Sequence, residues 1–347
     1  MLRIETRGGA WERGRQQGEQ SRRLAEGWLR SSLSRLAAQR RASSWGALVG
    51  AVSGEVRRWI DQWAAVYPAG VEECRGIAAG LGWDEDLYLG ALCHHRLSGE
   101  LPQCTLVGRH QGGSTRFGKT DDIERHQLGL NLLEISRPTD GHDHLHFHFA
   151  ATPWTVAGAN QPGLAMGMTG IPGPMKEEAG LFSLMALRTV LPACADVGEA
   201  LEHLRDLPVN AYGFSLMLGD AGGRLALVEK TGAGMTVVEA EDGRPLGHTN
   251  HILDADFARL NPAQGAPIDA NGRRRLDNAL RLAGEGVPIE RILADRSSVG
   301  AICQQGEDGL HTDFAVLFEP VEGRMRLWSG PPARVEPAEY DFERLLA

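Results

Sequence analysis

The 347-residue chain is short of lysine, of aromatic residues and of long apolar runs, and each shortage narrows what it can be. Of its 36 cationic residues only Lys119, Lys176 and Lys230 are lysines, an arginine bias that runs the whole length and marks composition rather than phosphate recognition. Acidic residues number 45, for a net charge of −9, and the negative excess falls entirely after residue 103. No basic face for nucleic acid follows from that balance. Nowhere does an apolar run approach the ~18 residues of a membrane span, and the opening MLRIETRGGAWERGRQQG lacks an apolar signal-peptide core, so a cytoplasmic protein is expected. The five cysteines (Cys74, Cys93, Cys104, Cys194, Cys303) form no CxxC pair, which argues against a zinc ribbon and a disulfide framework. The early glycines Gly8, Gly9, Gly14 and Gly18 lack GxGxxG spacing and follow no strong strand signal, so a nucleotide loop is not expected.

What is present is a large apolar fraction, 42%, enough for a substantial core without disulfides. Residues 11–98 read as helical, with Leu24, Trp28, Leu29, Leu33 and Leu36 at helical intervals and further helices at about 45–65, 69–80 and 84–97. From SGELPQCTLVG onward the texture changes to Gly-rich alternating segments with turn signals such as Thr139-Asp140-Gly141. Helical patterns return in LFSLMALRTVLPA, DVGEALEHLRDL and RRRLDNALRLAG, and three strands are expected to close the chain in SSVGAICQQ, TDFAVLFEP and GRMRLWSGP. Strands, then helices, then strands imply a layered α+β body. No internal repeat is visible.

Cys104 occupies an unusual place for a buried thiol, in Pro102-Gln103-Cys104-Thr105, where the helical third gives way to strand. The other cysteines fall in phase with apolar neighbours or at a helix break, as small core residues do. RGGAWERGRQQG, Cys104-Thr105, GKTDD at 118–122, GANQPGLAMGMTGI at 158–171, LGDAGGRLALVEK at 218–230, GHTNHIL at 247–253 and Ser329-Gly330-Pro331 follow in that order. Together they resemble the acyl-coenzyme A:6-aminopenicillanic acid acyltransferase family of self-cleaving N-terminal nucleophile hydrolases.

That resemblance implies an αββα sandwich. Residues 1–103 would form a mainly helical, propeptide-like chain and residues 104–347 the catalytic body. It implies cleavage before Cys104, with the two chains staying associated, and acyl transfer through a Cys104 thioester. The freed α-amine, with an ordinary pKa of ~7.7–8.0, would serve as general base. Asn250 matches the family's side-chain oxyanion donor, with His248 and His251 as structural flanks. Asp122 matches the acid that orients the α-amine or Thr105, although the adjacent Asp121 makes that assignment ambiguous. Thr120 stands where the family has Asn, and Gln103 where it has Gly. Thr105, Thr120 and Asp121 are the supporting candidates.

His142, His144, His146 and His148 alternate with Leu145, Phe147 and Phe149 and so share one strand face. An exposed face or a polar lining of the substrate cleft is expected there. The four histidines are weak candidates for a metal, since the nearby carboxylate, Asp143, is in phase with the apolar set. Arg188 reads as an ion-pair anchor. The expected partner is a small-molecule acyl amide or acyl thioester, with no cofactor, no nucleic acid and no membrane; a homo-oligomer is compatible with the sequence. The competing expectation is an unprocessed, non-catalytic ligand- or metal-binding relative of the same fold.

Overall fold

The computed structural model describes residues 1–98, 103–173, 178–210, 212–260 and 266–346. Strand β1 (Leu2–Gly8) leads into four helices, α1 (Ala10–Arg40), α2 (Trp45–Ala64), α3 (Pro68–Leu81) and α4 (Glu85–Ser98). Six strands follow: β2 (Gln103–Gln111), β3 (Ser114–Glu124), β4 (Asn131–Pro138), β5 (His144–Phe149), β6 (Ala157–Asn160) and β7 (Ala165–Ile171). Helices α5 (Ser183–Arg188), α6 (Val190–Ala193) and α7 (Val197–Asp206) precede β8 (Gly213–Gly219), β9 (Leu225–Thr231), β10 (Gly234–Glu239) and β11 (Pro245–His248). The chain finishes with α8 (Ala255–Leu260), α9 (Ala266–Gly284), α10 (Ile289–Leu293), β12 (Leu310–Glu319), β13 (Arg324–Trp328), β14 (Ala338–Asp341) and α11 (Phe342–Leu346).

The strands make two sheets, one of eight in the order β1-β4-β5-β6-β7-β8-β9-β10 and one of six in the order β11-β2-β3-β12-β13-β14. They face one another: Phe147 of β5 stacks on Phe314 of β12 at 5.1 Å, and a Cβ on Gly108 of β2 would lie 2.6 Å from Met217 Sδ of β8. Consecutive residues Leu106 and Val107 are both fully buried because β2 is covered on both faces. Leu106 joins the large core that includes Phe147 and Met217, while Val107 joins a separate cluster with Ala279 and Ala283 of α9 and Ile292 and Leu293 of α10. Helices cover the other sheet too, so the layers run helix, sheet, sheet, helix, the αββα order expected.

Helix α1 lies against α3 at a distance only glycine allows. A Cβ on Gly14 would come within 2.1 Å of the Glu73 carbonyl oxygen, and one on Gly76 within 2.1 Å of the Trp11 carbonyl oxygen. Gly14, and likewise Gly18, where a Cβ would come within 2.4 Å of the Ile77 carbonyl oxygen, are thus helix-packing positions.

Two expectations change. The first residues are a strand, β1, paired in parallel with β4, so residues 1–103 contribute to the eight-stranded sheet as well as to the helices. This also gives the early glycines a preceding strand. Their turn is nonetheless closed by its own chain, Glu12 Oε2 accepting from the Gly9 N–H at 2.6 Å and Arg13 donating to the Gly8 carbonyl at 2.7 Å. SSVGAICQQ is not a strand. Its buried Ile302 and Cys303 pack inward from an irregular segment whose backbone is tied to Asp295 and Thr312. Among the described residues no helix is long and apolar enough to cross a membrane. The Cys93 side chain lies outside the described residues.

Candidate active site

The hairpin β2–β3 turns through Gly112 and Gly113, both at positive φ (59° and 82°), as a tight two-residue turn requires. That turn fixes the register, placing Cys104 opposite Asp121 and Gln103 opposite Asp122. On the other edge β11 pairs with β2 up to His248 opposite Leu106, so the chain two residues further on brings Asn250 beside Cys104. The Cys104 N–H donates to Asn250 Oδ1 at 3.1 Å, and Asn250 Nδ2 donates to the Gly170 carbonyl at 3.0 Å.

Because side chains alternate across a strand, the two acids part company. Asp121 shares the inter-sheet face with Cys104 and Lys119. Lys119 Nζ lies 3.3 Å from Cys104 Sγ and 2.6 Å from Asp121 Oδ1, and Asp121 Oδ1 is 3.6 Å from the sulfur. Asn131 Nδ2 donates to Asp121 Oδ2 at 3.0 Å. Asp122 points to the opposite face, where it accepts from Thr120 Oγ1 at 3.0 Å and Thr312 Oγ1 at 2.6 Å. Thr120 Oγ1 in turn accepts from the Thr105 N–H at 3.2 Å, linking Asp122 to the residue after the thiol.

Nothing in the residue pattern singles out Arg275. It belongs to α9, in a run of three arginines, yet it is fully buried and reaches under the strand. Its Nη1 donates to the Cys104 carbonyl at 2.6 Å and Thr105 Oγ1 at 2.8 Å, and its Nη2 to Asn250 Oδ1 at 3.0 Å and Gln103 Oε1 at 3.2 Å. Asp122 Oδ2 is 3.9 Å from Nη1. Only the burial of one arginine among equals marks it, and burial was not readable there.

Burial pushes the Cys104 thiol up to about 12, against the pull of Lys119 and with Asp121 and Asp122 adding to the rise. Burial alone would discharge Lys119, but Asp121 and Cys104 outweigh it and hold the ammonium above its ordinary value. Asp122 is raised to about 6 by burial, which Arg275, Thr312 and Thr120 only partly oppose. The cluster therefore sets a protonated thiol against an ammonium–carboxylate pair, with its backbone N–H and C=O each held by a side chain.

Residues 109–334 match the family described as acyl-coenzyme A:6-aminopenicillanic acid acyl-transferase. The chain belongs to that family. It is accordingly an enzyme of the amide-hydrolase and acyltransferase class. Among solved structures, it is similar to a variant of the conjugated bile acid hydrolase from Clostridium perfringens at 15% identity, covering 70% of this chain and 94% of that one, with a TM-score of 0.48. The penicillin V acylase from Agrobacterium tumefaciens matches at 14% identity, with coverages of 68% and 84% and a TM-score of 0.42. The Caenorhabditis elegans ortholog of N-acylethanolamine-hydrolyzing acid amidase matches at 10% identity, with coverages of 63% and 93% and a TM-score of 0.37. No curated protein matches the chain.

In this member of the acyltransferase family the candidates Cys104, Thr105, Thr120, Asp121, Asp122 and Asn250 gather in one cluster, and the histidine run does not join it. His144, His146 and His148 are neither exposed nor lining a cleft: they are buried on the outer face of the eight-stranded sheet, under the helices, and His142 is half-buried just before β5. The carboxylate that meets them is Glu134 of the neighbouring β4, 2.9 Å from His148 Nε2 and 3.4 Å from His146 Nε2. These three could by spacing hold a metal ion. However, the Arg188 guanidinium already bonds His146 Nε2, the atom a metal would need, and is anchored by Glu73 at 2.6 Å. The Arg188 guanidinium fills the place between these rings and the carboxylates of Glu73 and Glu134, and burial together with that cation pushes His144 down to about 3 and His146 well below its ordinary value.

Proposed function

We propose that this enzyme is a cysteine N-terminal nucleophile: it cleaves itself before Cys104, then moves the acyl group of a small acyl amide or acyl thioester through a Cys104 thioester. What supports this most is the convergence on one residue of four different side chains. Asn250 holds its nitrogen, Arg275 its carbonyl, and Lys119 with Asp121 its sulfur.

Before cleavage the Cys104 nitrogen is an amide and cannot act as a base. Asp121 is the nearby carboxylate able to take the thiol proton while Lys119 stabilises the sulfur anion. The sulfur then bonds to the Gln103 carbonyl carbon, the C–N bond breaks, and the Cys104 nitrogen departs with a proton. Water splits the thioester, releasing the Gln103 carboxylate and restoring the thiol. The new α-amine takes over as base in the mature enzyme. Asn250 is the side-chain donor for the oxyanion of each tetrahedral intermediate, a contact whose removal costs ~3–4 kcal/mol of barrier in a comparable hydrolase. Asp122, through Thr120, holds the backbone after the nucleophile. An amine acceptor gives acyl transfer, and water gives hydrolysis.

The test is a panel of acyl amides and acyl thioesters, with mass spectrometry of the quenched protein. An acyl adduct on Cys104 and loss of turnover by at least about 10³-fold in Cys104→Ala are expected. Turnover that survives Cys104→Ala would remove Cys104 from the reaction.

A further inference from the structure

We infer that His248 is a doubly protonated imidazolium, paired with Glu229, that serves as the positioning residue for Asn250; the inference rests on the reading of Cys104 as the nucleophile. His248 ends β11, two residues before Asn250, and is fully buried. Its Nδ1 lies 2.6 Å from the Thr249 carbonyl oxygen and its Nε2 2.7 Å from Glu229 Oε1. Both of those partners accept, and a neutral imidazole has only one N–H to give. Thr169 Oγ1, 3.2 Å from Nδ1, also bonds the same Thr249 carbonyl, so that carbonyl oxygen still faces Nδ1 whichever way the hydroxyl turns. The ring therefore needs both protons to avoid setting a lone pair against an oxygen. The groups facing it are Glu229 from β9, Thr169 from β7 and His251 of its own loop, whose ring stacks at 6.3 Å. The nearest lysine in sequence to Glu229, Lys230, donates instead to the Arg205 carbonyl.

Glu229 does more than balance the charge. Its Oε1 also accepts the Leu253 N–H at 2.6 Å, and its Oε2 accepts the Asp254 N–H at 3.2 Å and the Thr236 hydroxyl at 3.4 Å. Although burial works against ionisation, the His248 bond and charge together with those two backbone donors hold the carboxyl below its ordinary value. One carboxylate thus grips the segment at residue 248 and again at 253–254, with Asn250 between the two grips. Thr249 Oγ1 adds a third tie, donating to the Gly272 carbonyl on α9 at 2.9 Å, one turn before Arg275. The Asn250 carboxamide reaches Cys104 from a closed loop, and the catalytic geometry depends on that closure. A displacement of about 1 Å costs on the order of 10²-fold in rate.

The test combines ring-nitrogen NMR of ¹⁵N-histidine protein at about pH 7 with steady-state kinetics. The His248 signals are assigned by their loss in His248→Gln. Two protonated ring nitrogens are expected in the wild type; in Glu229→Gln one should lose its proton, and kcat should fall roughly 10- to 100-fold with KM nearly unchanged. An unprotonated ring nitrogen in the wild type overturns the inference, and so does a Glu229→Gln enzyme with wild-type kcat. Should Glu229→Gln fail to fold, the wild-type spectrum alone decides. Cys104→Ala should lose turnover and keep the His248 spectrum. If turnover persists there, the nucleophile reading fails while the spectrum still settles the state of His248.

Discussion

Asp121 and Asp122 show how far one residue's step along a strand can divide two identical side chains. The first faces the thiol and an ammonium; the second faces two threonine hydroxyls and a guanidinium. Burial lifts Asp122 to about 6 from its ordinary 3.8, so the folded protein binds this proton more tightly than the unfolded chain does. The stability it contributes is complete below about pH 4 and is lost as pH rises through about 6, by roughly 3 kcal/mol. Denaturant unfolding across that range should show the wild type losing ground to Asp122→Asn as pH rises. A difference between the two that stays flat with pH would contradict the assignment. Cys104, Asp122 and Asn250 could be named as candidates because their segments carry motifs of a known family, and the fold brings the three together. Which acid meets the sulfur was not, since that depends on strand register. Arg275 was hidden among Arg273 and Arg274, identical in sequence terms and distinguished only by which side of α9 the sheet covers.

The elements that apolar period could identify, α1 to α4 and most of the strands, lie where the pattern put them. Those that it misplaced have physical reasons. In β1, LRIETRG, only Ile4 and Thr6 are buried, too few for the strand to stand out, and its pairing partner β4 lies more than a hundred residues away. SSVGAICQQ alternates like a strand, yet Val299 is 66% exposed and the segment takes its hydrogen bonds from a helix end and from β12. The histidine face of β5 read as exposed or as a cleft lining because alternation reveals two faces without saying what covers each; here helices bring Glu73 and Arg188 down onto it. The α1–α3 contact gives the element-scale prediction. In Gly76→Ala the added methyl meets the Trp11 backbone, which unlike a side chain cannot rotate away. A loss of ~1–3 kcal/mol in unfolding free energy is expected, and a wild-type midpoint would mean that the two helices can separate without cost.

At the scale of the whole molecule, residues 1–103 are woven into the body. They give β1 to the eight-stranded sheet, and Trp28 of α1 donates to the Ala150 carbonyl at 3.0 Å. Gln17 of the same helix donates to Glu134 at 3.0 Å. A single cut at the head of β2 would therefore leave two chains that remain together under native conditions and separate only when unfolded. The peptide bond between Gln103 and Cys104 is where the sequence pattern, the buried thiol and the proposed chemistry meet. The most direct measurement is the intact mass of the wild-type protein, recorded under denaturing and native conditions beside Cys104→Ala. Two denatured chains are expected for the wild type, one ending at Gln103 and one beginning with Cys104, with a single assembly of both in the native spectrum and one uncut chain for the variant. A wild-type protein that turns over acyl substrates as one uncut chain, or a cut that persists in Cys104→Ala, would contradict self-cleavage by Cys104.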